Sequence, residues 1–185
     1  METKKKGKLV ILSGPSGCGK TTISASLTKD PEFIRSISAT TRPPRPGEKH
    51  GADYFFITED EFRKKIEQGE FAEYAEYHNY RYGTLIASID DARLKGLTVL
   101  LVIEVDGALQ IIKKFPDCNS IFILPPDIQT LKERLKKRKH NTPEEINQRV
   151  EIALKEMEEK CHYANCVVND DLNKTIATIK DIIQK

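Results

Sequence analysis

The run Gly14-Pro15-Ser16-Gly17-Cys18-Gly19-Lys20-Thr21 spells G-x-x-x-x-G-K-T, and each residue type has a chemical use at its place. Glycines let successive backbone N–H groups curl around a polyphosphate, and a helix opening at the lysine adds positive potential. At such a site Lys20 reaches the β- and γ-phosphates and the Thr21 hydroxyl ligates Mg²⁺, with Thr22 next along the chain. The bland reading is an ordinary Gly-rich turn. Against it, an apolar strand precedes the run and a helical pattern follows, the context a phosphate cradle requires. Nucleoside triphosphate binding follows from this; the acceptor does not. The same loop serves water-activating NTPases, motors, switches and kinases.

A second cluster, Ser38-Ala39-Thr40-Thr41-Arg42-Pro43-Pro44-Arg45-Pro46-Gly47, offers an acceptor site. Its prolines favour an extended left-handed conformation of about three residues per turn, which predicts that Arg42 and Arg45 point the same way. Two forked guanidinium groups on one side suit a phosphate dianion. Tyr54 and Tyr82 can add hydroxyl donors from nearby strands. Glu73 offers a carboxylate able to accept two N–H groups at once, and guanine presents two adjacent donors at N1 and N2. Adenine meets such a carboxylate with a lone pair. Taken alone, the Arg42–Pro46 stretch reads equally as a solvated basic loop or a PxxP ligand.

These groups need a frame to hold them. Residues 8–13 read as a buried strand and residues 20–29 as the helix after the cradle. Residues 97–103 form a second continuous apolar run, the mark of a parallel strand covered on both faces. Residues 120–124 and 166–168 read as further short strands. Thr142-Pro143-Glu144-Glu145 is a capping box with proline at the first helical position. Ile146, Val150, Ala153, Leu154 and Met157 then recur with the period of a one-sided helix, as do Leu172, Ile176, Ile179 and Ile183. The alternation predicts an α/β fold, a parallel sheet with helices on both faces. Residues 36–84 break the rhythm: three prolines, an aromatic strand at 54–57, a short helix capped by Thr58 with Glu61, then a Tyr- and Glu-rich stretch. They read as a mostly antiparallel insertion, and long insertions tend to carry function.

The 185 residues suit one domain, and 38% apolar with 31% charged content excludes disorder and collagen-like repeats. The longest apolar stretch falls far short of the roughly 20 residues of a membrane helix. Thirty basic against 28 acidic residues is too balanced for nucleic-acid binding by field alone. Residues 1–8 are basic but lead into too short an apolar run for a signal peptide, so a solvated tail and a cytoplasmic protein are expected. Cys18, Cys118, Cys161 and Cys166 make no C-x-x-C pair; a zinc site at Cys161, His162 and Cys166 lacks a fourth ligand, and reduced thiols are expected. His50, His78, His140 and His162 have no triad-like neighbours and receive no catalytic role.

At this level of detail the chain resembles a guanylate kinase from residue 8 to residue 183. The marks are G-P-S-G-x-G-K-T, S-x-T-T-R-x-P-R-x-G-E at 38–48, G-x-D-Y-x-F at 51–56, G-E-F-x-E at 69–73, Y-G-T at 82–84 and N-D-D at 169–171. The resemblance implies a single domain spanning 1–185: a P-loop kinase core, a GMP-binding insertion at 36–84 and a helical lid at 126–150. It implies transfer of the ATP γ-phosphoryl group to GMP and dGMP, with Mg²⁺, in purine nucleotide metabolism, by a monomer or homodimer without nucleic-acid or membrane partners. By the same resemblance Arg42, Arg45, Tyr54 and Tyr82 hold the GMP phosphate, while Ser38, Glu73, Thr84 and Glu104 read guanine. Arg138 and Arg149 contact the transferred phosphates, joining Lys20 and Arg42 in the chemistry. The family's Arg-Gly pair is Arg138-Lys139 here, which predicts a stiffer or differently closed hinge. Its acid-x-acid-x-Gln-Gly is Val102-Ile103-Glu104-Val105-Asp106-Gly107, leaving Glu104 as a guanine or metal-water ligand. Asp106 either assists Mg²⁺ or, the reading preferred, caps the next helix. Asn169 either borders adenine or its ribose, or is a turn residue. The competing functions are a non-catalytic interaction module of the same fold and a kinase for another nucleoside monophosphate.

Overall fold

A computed structural model describes residues 6–77, 79–137 and 142–184. Five strands, β1 (Leu9–Ser13), β2 (Phe33–Arg35), β7 (Thr98–Val102), β8 (Asn119–Leu124) and β9 (Asn165–Val168), form one sheet in the order β2-β7-β1-β8-β9. Every pairing in it is parallel. The strands β3 (Ala39–Thr40), β4 (Phe55–Phe56), β5 (Phe71–Tyr77) and β6 (Tyr80–Leu85) form a second sheet, ordered β4-β3-β6-β5. There β3 pairs with β4 in parallel, while β3–β6 and β5–β6 are antiparallel. The helices are α1 (Lys20–Leu27), α2 (Glu59–Glu67), α3 (Ile86–Leu94), α4 (Val105–Lys114), α5 (Ile128–Lys136), α6 (Pro143–Glu158) and α7 (Leu172–Gln184).

Alternation along the strands explains why helices cover both faces. Leu9 and Ile11 of β1, with Val99, Leu101 and Phe122, pack against Ile89 and Ala92 of α3 and Ala108 and Ile111 of α4. Val10 and Leu12, with Leu100, Ile121 and Ile123, pack against Ile23 and Leu27 of α1 and Ile179 and Ile183 of α7. The four strand residues Leu9 to Leu12 are fully buried, each contributing about 1.5–3 kcal/mol by leaving water. The period-2 geometry thus divides one apolar run between two cores.

Local signals set the helix starts. Thr58 Oγ1 accepts from Glu61 N at 3.2 Å while Glu61 Oε2 accepts from Thr58 N at 2.8 Å, and Thr142 and Glu145 repeat the box on α6. Leu131 and Leu135 of α5 then bury against Ile146, Val150 and Ala153 of α6, a separate small core. Within the expected stripe of α6, Leu154 is exposed, because the contact with α5 is narrower than a full apolar face. Among the elements that went unanticipated are β2, only three residues long, and α3, whose N-cap Leu85 makes no side-chain cap. The strand expected at 54–57 shortens to Phe55–Phe56, and the first helix ends at Leu27.

Candidate active site

The cradle lies where β1 hands over to α1, at the carboxyl end of the parallel sheet. Gly19, the N-cap of α1, has φ 102°, and a Cβ there would sit 2.3 Å from Asn169 Nδ2. Only glycine fits. Lys20 is buried; its Nζ donates to the Gly14 and Pro15 carbonyls and lies 3.3 Å from Glu104 Oε2. Its ammonium therefore rests on the loop's own oxygens and one carboxylate. Thr21 and Thr22 are exposed in the first turn of α1, and the Thr21 hydroxyl has no hydrogen-bond partner among the described residues. The Cys18 thiol belongs to the core, where burial pushes its pKa up, so Cys18 offers the loop only its main chain.

Asn169 braces this loop. Its Nδ2 donates to Cys18 O at 2.8 Å, its Oδ1 accepts from Thr175 Oγ1 at 3.2 Å, and its carbonyl accepts from Arg134 Nη2 at 2.9 Å. Beside it a cavity of about 310 Å³ is lined by Gly17, Gly19, Thr22, Arg134, Asp170 and Leu172, together with Asn169. Nothing local in the sequence marks Arg134 for this place against Asn169, 35 residues away, which depends on long-range packing. Glu156 was not singled out either. Half-buried on α6, it has its pKa pushed up to about 7 by burial, reinforced by the Glu104 carboxylate and opposed by Lys20.

The second sheet gathers the acceptor candidates. The Arg42 guanidinium is 8% exposed and lies 5.6 Å from the Tyr54 ring centroid, whose ring meets that of Tyr82 at 5.9 Å. Its Nη2 donates to both oxygens of Glu48, at 2.8 and 2.9 Å. Arg45, by contrast, is exposed. The extended run ends in a turn, with Glu48 N donating to Arg45 O and φ 90° at Gly47, so the two guanidiniums do not share one environment. Glu73 is 5% exposed, and its Oε1 accepts from Thr84 Oγ1 at 2.6 Å across the β5–β6 pairing. Burial pushes the Glu73 pKa up, with the Thr84 hydroxyl opposing. Ser38 stands just before β3, pairing its carbonyl with Phe55 N; its hydroxyl meets neither group among the described residues.

One helix end touches both clusters. Glu104, the N-cap of α4, faces Lys20, and a Cβ on Gly107 of the same helix would lie 2.4 Å from Glu73 Oε2. A buried carboxylate thus occupies the space that any larger residue at position 107 would fill. The expected cap at Asp106 is corrected: the strand stops at Val102, Glu104 takes the N-cap position without a side-chain bond, and Asp106 is an exposed acid within the first turn. Arg149 is half-buried on α6 and has no ion pair among the described residues. It shares a helix face with Glu156, seven residues and about 10 Å further along. Arg138 and Lys139 lie outside the described residues.

A phosphate cradle on a parallel sheet, an inserted second sheet presenting a buried arginine and carboxylate, and a helix pair bearing arginines define a P-loop nucleoside monophosphate kinase. The family model described as guanylate kinase matches residues 6–185. A guanylate kinase of Streptococcus agalactiae (serotype III) is 44% identical over 182 residues, covering 97% of this chain and 87% of that relative. One from Geobacter sulfurreducens is 41% identical over 181 residues, covering 97% and 89%. The crystal structure of guanylate kinase from Anaplasma phagocytophilum superposes with a TM-score of 0.79 at 31% identity, covering 98% of this chain and 87% of that one. The chain belongs to the guanylate kinase family.

Proposed function

We infer that this chain transfers the γ-phosphoryl group of ATP to GMP, giving ADP and GDP. The observation that carries the reading is the first turn of α4, which meets the cradle lysine through Glu104 and the buried Glu73 through Gly107. One rigid element thereby fixes the distance between a phosphate-binding site and a purine-reading carboxylate.

On this reading the main-chain N–H groups of the Gly14–Thr21 loop, all but Pro15 having one, hold the ATP phosphates, and Lys20 exchanges Gly14 O and Glu104 for phosphate oxygens. The 310 Å³ cavity beside Arg134 and Asn169 takes the adenosine end. Arg42, Tyr54 and Tyr82 hold the GMP phosphate, with Arg45 closing over it from the surface. Glu73, oriented by Thr84, accepts guanine N1–H and N2–H, with Ser38 and Glu104 at the edges of the base. Mg²⁺ fits at Thr21, whose exposed hydroxyl is a hard oxygen donor without a competing partner among the described residues. No group of three or more acidic, His or Cys side chains among the described residues could hold a metal, so the nucleotide's phosphates supply most of its ligands. When bound, the ion neutralises charge on the β- and γ-phosphates.

The chain's own work is alignment. The acceptor is already a phosphate oxygen, so no strong general base is needed, and the rate comes from positioning and charge stabilisation. Residues 126–150 act as the lid, bringing Arg138 and Arg149 onto the transferred group and excluding water that would otherwise accept it. The reduced thiols fit a cytoplasmic reaction. A coupled assay with GMP, dGMP, AMP, UMP and dTMP tests the reading. Turnover with the two guanine nucleotides alone is expected; turnover confined to another monophosphate, or tight binding without turnover, would overturn it.

A further inference from the structure

The outer strand of the second sheet, β5, has one edge that no strand covers, since the order β4-β3-β6-β5 leaves its far side open. An open edge presents main-chain N–H and C=O groups in want of partners. Helix α4 supplies them. The Gln110 amide forms a reciprocal pair with Tyr74: its Oε1 accepts from Tyr74 N at 3.3 Å and its Nε2 donates to Tyr74 O at 2.9 Å. Further along the helix, Lys114 Nζ donates to Phe71 O at 3.1 Å. A side-chain amide here does what a neighbouring strand would do, and it does so from an element of the core.

Gly107, Gln110 and Lys114 stand three and then four residues apart, so they share one face of α4. That face meets β5 at Glu73, Tyr74 and Phe71, with Gly107 the position where a Cβ would crowd Glu73 Oε2. Between the two main-chain anchors the register slips. Phe71 pairs with Leu85 and Glu73 with Thr84, so two residues of β5 advance against one of β6. Ala72, the extra residue, packs in the main core with Ala108 and Ile111, while the Phe71 ring stacks on Phe62 at 4.4 Å. A bulge of this kind re-aims a side chain, and the residue that follows it is Glu73.

We propose that Gln110 is a positioning residue for base recognition. By pairing with the main chain of Tyr74 it fixes the bulged segment, and with it the Glu73 carboxylate, to the helix that also carries Glu104. Lys114 anchors the other side of the bulge. The proposal rests on the reading of Glu73 as the guanine acceptor, and Gln110 acts through the backbone without touching either nucleotide.

Steady-state kinetics of Gln110→Met and Gln110→Glu, with GMP, IMP and ATP each varied, test it. Methionine matches the length and helix preference of glutamine and deletes both bonds; glutamate keeps the acceptor and sets an oxygen against Tyr74 O. The lost bonds are neutral and exposed, so KM for GMP should rise about three- to tenfold in Gln110→Met, and at least as much in Gln110→Glu. KM for ATP should hold and kcat should change less than about twofold. Guanine offers Glu73 two N–H groups and hypoxanthine one, so the preference for GMP over IMP in kcat/KM should fall about threefold. Wild-type values throughout, or equal losses with GMP and IMP, would overturn the proposal. A matching rise in KM for ATP would overturn it too, marking Gln110 as a general support of the fold. If Gln110→Met fails to fold, Gln110→Glu decides by the same measurements. Wild type that does not prefer GMP to IMP would instead remove guanine reading at Glu73, a separate failure.

Discussion

Replacing Glu73 by Gln swaps one carboxylate oxygen for an NH₂ group and deletes a buried charge. The two consequences have opposite signs. Thr84 Oγ1 donates to Oε1 at 2.6 Å, and Oε2 lies against Gly107, so the side chain has no room to turn away. At best the amide oxygen keeps one of guanine's two N–H groups, and the NH₂ opposes the other. Losing a charge-assisted bond and setting donor against donor costs about 3–4 kcal/mol, roughly 10²–10³-fold in kcat/KM for GMP. The preference over IMP, which presents one such N–H, should narrow. Stability should move the other way. Burial raises the Glu73 pKa above the ordinary 4.5, so its contribution to stability is full below that value and is lost as pH rises through the raised pKa. Gln does not titrate, so Glu73→Gln should melt higher than wild type at neutral pH, the gap closing in acid. Coupled assays with GMP and IMP and melting curves across pH read both effects. Unchanged kcat/KM for GMP, or a lower melting temperature at neutral pH, would refute the reasoning.

Three further outcomes are expected. Gly107→Ala places a methyl group 2.4 Å from Glu73 Oε2, and displacing that carboxylate should raise KM for GMP at least about tenfold while KM for ATP holds; equal KM values would show that the contact relaxes freely. Arg149→Ala should depress kcat by about 10³-fold or more with little change in GMP affinity, and a normal kcat would remove Arg149 from the chemistry. Its melting temperature should stay near wild type, since Arg149 has no ion pair among the described residues. Glu156, with a pKa raised to about 7, stabilises fully below the unfolded value of 4.5 and loses that contribution as pH rises through 7. Solvent screening of this half-exposed carboxylate reduces the effect, so wild type should lose on the order of 1–2 kcal/mol across that window that Glu156→Gln does not lose; parallel stability curves in urea would contradict it.

What the sequence made legible is what local spacing encodes. The cradle, both capping boxes and the apolar runs of β1 and β7 each depend on residues a few positions apart, and each has one physical reading in its context. The interior pairing of β7 with β2 and β1 also follows from a run too apolar to face water. The elements that escaped had weak local signals: β2 is three half-exposed residues, and α3 opens on Leu85 without a capping side chain. Asp106 was misplaced because an acid near a strand end suits a cap, whereas the chain turns two residues earlier. The site divides in the same way. Residue types at Lys20, Arg42 and Glu73 could be chosen from chemistry, but their resting partners could not. Glu104 beside Lys20, Gly107 under Glu73 and Asn169 on Cys18 O are separated by 34 residues or more in sequence, and only the fold brings them together. Glu48 lies just six residues from Arg42, yet the extended conformation expected of its prolines hid the turn that folds it back.

The central claim is direct transfer between two nucleotides held in one cleft. ATP labelled on its γ-phosphorus, incubated with GMP and Mg²⁺ and followed by chromatography, tests it most directly. The label should appear in GDP in step with ADP, with negligible inorganic phosphate, and Lys20→Ala should abolish transfer while remaining folded. Label released as inorganic phosphate while GMP persists would contradict the claim.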